Sequence, residues 1–233
     1  MIFAHRGYSA KFPENTLLAF AEALKAGCDG IELDVHLSAD GGLVIIHDED
    51  VRRTTNGAGL VSEMRLGELR ALDAGCGEKI PLLSEYFGLA AGFDVVTNIE
   101  LKNDVVNYVG LEEKVLDLVC EFGLSDRVII SSFNRASVDK VKQLAPSIAC
   151  GYLFSDLESP DWNTVFASMK SKGVEYVHPC VTSVNETFLA AASKHGIPFS
   201  VWTVNDIATM QRLTSHGAYA VFTDDVGTMT GGH

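Results

Sequence analysis

The sequence predicts an α/β protein built as a (β/α)8 TIM barrel, and three observations predict it. Strand-like apolar runs alternate with helical patterns from end to end. One strand candidate follows its predecessor after only Ser38-Ala39-Asp40-Gly41-Gly42, too few residues for a parallel crossover, which needs about a dozen. Eight strands joined by crossovers remain once that segment is set aside as a hairpin arm. A doubly wound open sheet of similar strand count is the competing architecture.

In order, Ile2 to Ala4 reads as the first strand, and Thr16 to Ala26 as the first helix. That helix carries Leu17, Leu18, Ala21 and Leu24 on one stripe, with Asn15 as N-cap and Gly27 as its stop. Gly30 to Leu37 is the second strand and Leu43 to His47 the antiparallel arm, turned by Asp-Gly-Gly. Residues 48–92 follow as a polar excursion over the top of the barrel, with short helical patterns near 63–72 and 83–92. The remaining strands are Val95 to Leu101, Arg127 to Ser132, Ala149 to Phe154, Glu175 to His178, Pro198 to Thr203 and Ala220 to Thr223. Helices near 107–122, 135–144, 161–172, 184–195 and 206–216 separate them. The end of the chain is short and Gly-rich, so the last helix is expected to be truncated, and Gly231-Gly232-His233 reads as an appended tail. No linker or composition shift divides residues 1–233, which are expected to form a single barrel domain.

The 233 residues are 47% hydrophobic and 21% charged, enough for a sizeable core. A net charge of −13 disfavours nucleic acid and stable membrane association, and any phosphate site would need its own local positive charge. Cys28, Cys76, Cys120, Cys150 and Cys180 are widely spaced and beside apolar or Gly-rich sequence, as buried free thiols are. No apolar run approaches the ~18 residues of a membrane span, and no leader pattern opens the chain. A reduced, cytoplasmic protein is expected; a leader removed ahead of Met1 is the alternative.

Charges in strands single out a site. On a strand, residues two apart share a face, so Glu32 and Asp34 project together, as do Glu100 and Lys102. A charge in apolar strand sequence is expensive unless paired or bound to metal. Glu32, Asp34 and Glu100 are hard oxygen donors suited to Mg2+ or Ca2+ rather than zinc. The alternative is a salt-bridge cluster with Arg6 and Lys102, although three carboxylates against two cations leave residual charge. His5 and His47 follow strand ends, where barrel active sites lie, and two imidazoles across a phosphodiester can serve as base and acid. The hairpin should set His47 near Glu32 or Asp34. Arg6 and Lys102 can bind phosphate, the first as a fork and the second as a point charge. Trp202 lines the pocket or packs the core, and Phe133 and Tyr152 share that ambiguity. His178 is a candidate rim or pocket residue; His36, His195 and His216 fall on surface-like positions. Gly-rich nucleotide loops and a G-x-S-x-G elbow are absent from the sequence.

Taken together these motifs resemble the glycerophosphodiester phosphodiesterase family. His5-Arg6-Gly7 with Pro13-Glu14-Asn15-Thr16 matches its opening motif, and Glu32-Leu33-Asp34-Val35 with Asp40-Gly41 and His47-Asp48 matches the second. Arg53-Thr54-Thr55-Asn56-Gly57, Glu100-Leu101-Lys102, Ser131-Ser132-Phe133, Val201-Trp202-Thr203-Val204-Asn205 and Phe222-Thr223-Asp224 continue it in order. Departures fall at Ser38, Leu82 and Val226. The resemblance implies a (β/α)8 barrel and a divalent cation, Ca2+ or Mg2+, held by Glu32, Asp34 and Glu100. It implies acid/base roles for His5 and His47, with Arg6 and Lys102 on the phosphate; Lys102 is also a catalytic candidate, and Trp202 a substrate-binding one. The implied reaction releases sn-glycerol 3-phosphate and an alcohol from deacylated phospholipid headgroups. A phospholipase D-like enzyme acting on lysophospholipids and a non-catalytic phosphate- or metal-binding barrel are the rival readings.

Overall fold

A computed structural model describes residues 1–158 and 160–231. Of the tail singled out above, Gly232 and His233 lie outside the described residues. The elements run β1 (Ile2–His5), α1 (Leu17–Lys25), β2 (Gly30–Leu37) and β3 (Leu43–Ile45), then short 3₁₀ turns at Val51–Arg53 and Val61–Glu63. Next come α2 (Leu66–Leu69), α3 (Leu83–Ala90), β4 (Val96–Leu101), α4 (Leu111–Glu121), β5 (Val128–Ser132) and α5 (Arg135–Leu144). The chain ends with β6 (Ala149–Phe154), α6 (Trp162–Lys172), β7 (Tyr176–Pro179), α7 (Glu186–His195), β8 (Ser200–Val201), α8 (Ile207–Ser215), β9 (Ala220–Thr223) and α9 (Val226–Thr230).

The strands pair in the order β7-β6-β5-β4-β2-β1-β9-β8, with β3 attached to β2 alone and antiparallel to it. Parallel bridges Val177–Phe199 and Cys180–Trp202 join β7 to β8 and all but close the ring. That contact rules out the open doubly wound sheet. The eight-stranded barrel, the hairpin arm and the shortened last helix are as the sequence predicts. Among the described residues, no helix is long and apolar enough to cross a membrane.

Alternation along each strand separates two interiors. Ala4, Ile31, Leu33, Val35, Ile99, Ile130, Cys150, Val177 and Val221 face outward into the main core beneath the helices. Phe3, Ile129, Ala220 and Phe222 plug the barrel from within. A third cluster, including Val44, Ile46, Val51, Val61, Leu69 and Ile80, seats the 48–92 excursion against the hairpin.

Several sequence expectations need correction. Thr16, not Asn15, caps α1, its hydroxyl accepting from the Ala19 N–H. Asn15 is instead drawn into a left-handed conformation (φ 57°), and its side chain turns to the barrel interior. His36 is fully buried: it shares the face of Glu32 and Asp34, with Nδ1 2.9 Å from Tyr108 Oη and Nε2 3.1 Å from the His47 carbonyl. His178 lies wholly inside the barrel, against Phe222 (ring centroids 5.2 Å), and not on its rim. Cys76 and Cys120 are exposed, the first in a Gly-flanked turn, so only Cys28 and Cys150 meet the expectation of fully buried thiols. Cys180 is intermediate.

Candidate active site

Parallel pairing places Asp34 beside Glu100 and His5 beside Glu32 at the carboxyl ends of β1, β2 and β4. Glu32, Asp34 and Glu100 each offer an oxygen within 4.8 Å of the others, at 4%, 1% and 8% exposure. Burial and the neighbouring Asp34 and Glu100 charges push the Glu32 carboxyl well above its usual range. Burial, the main cause, raises Glu100 to about 7, against the pull of Lys102. Burial acts on Asp34 too, but the charges of Lys102, His47 and Arg6 outweigh it and hold that carboxyl at about 2. Local cations therefore do not balance the cluster.

Lys102 Nζ donates to Glu100 Oε1 at 2.9 Å and lies 3.9 Å from Asp34 Oδ1, which has no hydrogen-bond partner although it is buried. The other Asp34 oxygen accepts from Asn15 Nδ2 at 2.8 Å and lies 3.6 Å from Arg6 Nε. Arg6 leaves β1 with φ 58° and aims its N–H at Glu32 Oε2, 3.0 Å away. Gly7 follows at φ 80°, where a Cβ would stand 2.7 to 2.9 Å from Ala19, so only glycine makes this turn against α1.

The two histidines are mounted alike. His5 Nδ1 lies 2.7 Å from Asp224 Oδ1, and Asp224 is itself held by Asn205 Nδ2 (2.8 Å) and Ser9 Oγ (3.2 Å). Burial opposes ionisation of Asp224, but its bonds to His5, Asn205 and Ser9 keep it near 2. His47 Nδ1 lies 2.6 Å from Asp48 Oδ1. A carboxylate at Nδ1 selects the tautomer protonated there and leaves Nε2 free. His47 Nε2 is 3.5 Å from Lys102 Nζ. Burial pulls the His47 pKa down, and Lys102 and Arg6 add to that pull against the charge of Asp34.

Both imidazoles line one cavity of about 100 Å³ together with Arg6, Glu32, Asn98 and Glu100. Its remaining wall is apolar: Phe133, Leu153, Trp202 and Phe222. Trp202 donates Nε1–H to the His178 carbonyl (2.9 Å) and meets Phe133 edge to face at 5.7 Å. Trp202 and Phe133 are thus pocket residues, whereas Tyr152 faces outward and donates to Asp139. One polar, charged wall opposite one apolar wall suits a ligand with a phosphate and a carbon-rich arm.

Residues 5–228 match the sequence pattern of the Glycerophosphoryl diester phosphodiesterase family. The chain belongs to this family. A glycerophosphodiester phosphodiesterase of Caldanaerobacter subterraneus subsp. tengcongensis is 40% identical over 98% of this chain and 96% of its own length. Among solved structures, a phosphodiesterase of Oleispira antarctica in complex with the product sn-glycerol-3-phosphate superposes with a TM-score of 0.86 at 31% identity, over 100% of this chain and 96% of that one. A glycerophosphodiester phosphodiesterase of Thermotoga maritima superposes at 0.83, with 30% identity over 97% and 95%.

Of the residues singled out in the sequence, His5, Arg6, Glu32, His47, Glu100 and Trp202 line this cavity, while Asp34 and Lys102 lie behind its wall against Arg6 and Glu100. Sequence reasoning missed the residues behind them, namely Glu14, Asn15, Asp48, Arg53, Asn205 and Asp224. Each stands in a quoted motif, but which side chain each would hold depends on loops meeting across the barrel mouth.

Proposed function

We propose that this chain hydrolyses glycerophosphodiesters to sn-glycerol 3-phosphate and an alcohol by acid/base catalysis between His5 and His47. The observation that carries this reading is the pair of imidazoles, each braced at Nδ1 by a carboxylate, lining one cavity with Arg6, Glu32 and Glu100, the last two clustered with buried Asp34. The product named in the Oleispira antarctica structure supports the same substrate class.

The acidic cluster fits a hard divalent cation, Ca2+ or Mg2+: its donors are all carboxylate oxygens, and buried Asp34 Oδ1 lacks a partner. Such an ion, held by Glu32, Asp34 and Glu100, would supply positive charge to the phosphoryl oxygens. Arg6 and Lys102 add their own charge on the same side and draw the anionic diester into an otherwise acidic molecule. Lys102 beside His47 Nε2 disfavours the imidazolium, so His47 is the base that removes a proton from the attacking hydroxyl. His5, which lines the same cavity and is held at Nδ1 by Asp224, is the acid that hands a proton to the departing alkoxide. In either route, direct attack by water or attack by the glycerol 2-hydroxyl followed by water opening the cyclic phosphate, each step forms one P–O bond as another breaks, and the net consumption is one water. Trp202 and Phe133 hold the carbon-rich arm. The reading includes a cytoplasmic setting, with no nucleic-acid partner.

A coupled assay for glycerol 3-phosphate, run over several headgroups with and without chelator, tests this. His5→Ala and His47→Ala should each lower turnover about a hundredfold or more, and chelator should abolish it. Near-wild-type activity in His47→Ala would remove that residue from the mechanism. Lysophosphatidylcholine turned over faster than glycerophosphocholine would favour the phospholipase reading instead.

A further inference from the structure

Arg53 touches neither the cavity nor the acidic cluster, yet it joins the two halves of the charged wall. Its Nε and Nη2 fork Asp48, at 2.5 Å to Oδ2 and 3.0 Å to Oδ1. Its Nη1 and Nη2 fork Glu14, at 2.9 Å to Oε2 and 2.8 Å to Oε1. Asp48 Oδ1 is the oxygen beside His47 Nδ1, and Glu14 Oε1 is the oxygen that accepts from Arg6 Nη1 at 3.0 Å. One planar cation thus grips both carboxylates that aim the pocket residues His47 and Arg6.

The mount itself is firm. Arg53 ends the 3₁₀ turn Val51–Arg53, which is capped by Asp50 accepting from the Arg52 N–H at 2.9 Å. Val51 is fully buried in the cluster that seats the excursion on the hairpin. The Arg53 side chain, by contrast, is 46% exposed. Water screens a pair this open and limits what it adds to stability, whereas two bidentate forks fix the relative orientation of the carboxylates they hold.

We propose that Arg53 is a positioning residue that sets His47 and Arg6 in a fixed mutual geometry, and that this is what the 48–92 excursion delivers to the site. The proposal rests on the acid/base reading of His47. Lysine keeps the charge but cannot reproduce a double fork, so Arg53→Lys should resemble Arg53→Ala rather than wild type. Misplacing both groups should lower kcat/KM for glycerophosphocholine about a hundredfold, with kcat reduced through His47 and KM raised through Arg6.

The test follows Arg53→Ala and Arg53→Lys in three ways: steady-state kinetics, thermal midpoint, and ¹⁵N–¹H spectra of the histidine rings at neutral pH. In wild type the His47 ring should carry its proton on Nδ1; in both variants that preference should weaken while the thermal midpoint barely moves. Guanidinium chloride at millimolar concentration should restore part of the activity to Arg53→Ala, and sodium chloride should not. An unchanged His47 tautomer with kcat/KM within twofold of wild type overturns the proposal, as does full activity in Arg53→Lys. A wild-type protein that releases no glycerol 3-phosphate, but whose His47 tautomer still depends on Arg53, would sink the hydrolase reading and leave the positioning role standing.

Discussion

Asp34 and its neighbours show how single atoms carry the chemistry of this barrel. Among the described residues, these three buried carboxylates are paired with two cations, Arg6 and Lys102, and Asp34 Oδ1 is left with no donor. Bound Ca2+ or Mg2+ should therefore stabilise the protein by about 2.7 kcal/mol at a hundred times its Kd. Thermal melts against chelator check this, with Asp34→Asn expected to erase the shift. A wild-type melt that neither ion moves would leave the cluster as a salt-bridge network only. The charged residues of this cluster were legible because strand parity is local: two residues apart on β2 or β4 is the same face wherever the strand lies. Parity also held the signal that His36 is buried, since it continues the face of Glu32 and Asp34. Asp224 and Glu14 were not legible as partners, because their roles arise from contacts between loops 219 and 39 residues apart in sequence.

At the scale of elements, β2 is the strand on which the site depends. Its inward residues Glu32 and Asp34 alternate with outward Leu33 and Val35, so a slip of one residue would bury the wrong set. Gly30 helps to seat it: a Cβ there would stand 2.6 Å from the Phe3 ring and 2.7 Å from the Val96 carbonyl. Gly30→Ala should destabilise the protein by about 1–3 kcal/mol through overpacking, measured by urea unfolding. Adding Phe3→Leu should recover part of the loss; if the double variant is simply worse by the sum, the ring is not what alanine strikes. The boundaries of β2 and the direction of β3 followed from sequence, since five linking residues permit only a hairpin. The cap of α1 did not. Asn15 and Thr16 are both good caps by residue type, and Asn15 is spent on Asp34, a contact with no local signature.

At the scale of the whole molecule, closing the ring traps polar groups where no water-facing sheet would. The strand order was legible from the alternation of strands and helices, but what fills the barrel was not, because it is set by which inward residues meet at the same level. His178 is the clearest case: it is fully buried, neither ring nitrogen has a partner, and burial lowers its pKa to about 3. In the unfolded chain the same imidazole titrates near the ordinary histidine value of 6.5. Between these two values the unfolded state binds the extra proton, so His178 favours folding fully above pH 6.5 and loses that contribution progressively as pH falls toward 3. Its share of the slope is up to about 1.4 kcal/mol per pH unit. Glu32 and Glu100, whose pKa values are raised, act with the opposite sign over their own windows, so the total slope of wild type does not isolate His178. The difference between proteins does. His178→Leu, unfolded in urea at a series of pH values from 8 to 4, should show a flatter acid limb than wild type whatever its stability at pH 8. Parallel limbs would mean that the buried ring takes up its proton without unfolding the barrel around it.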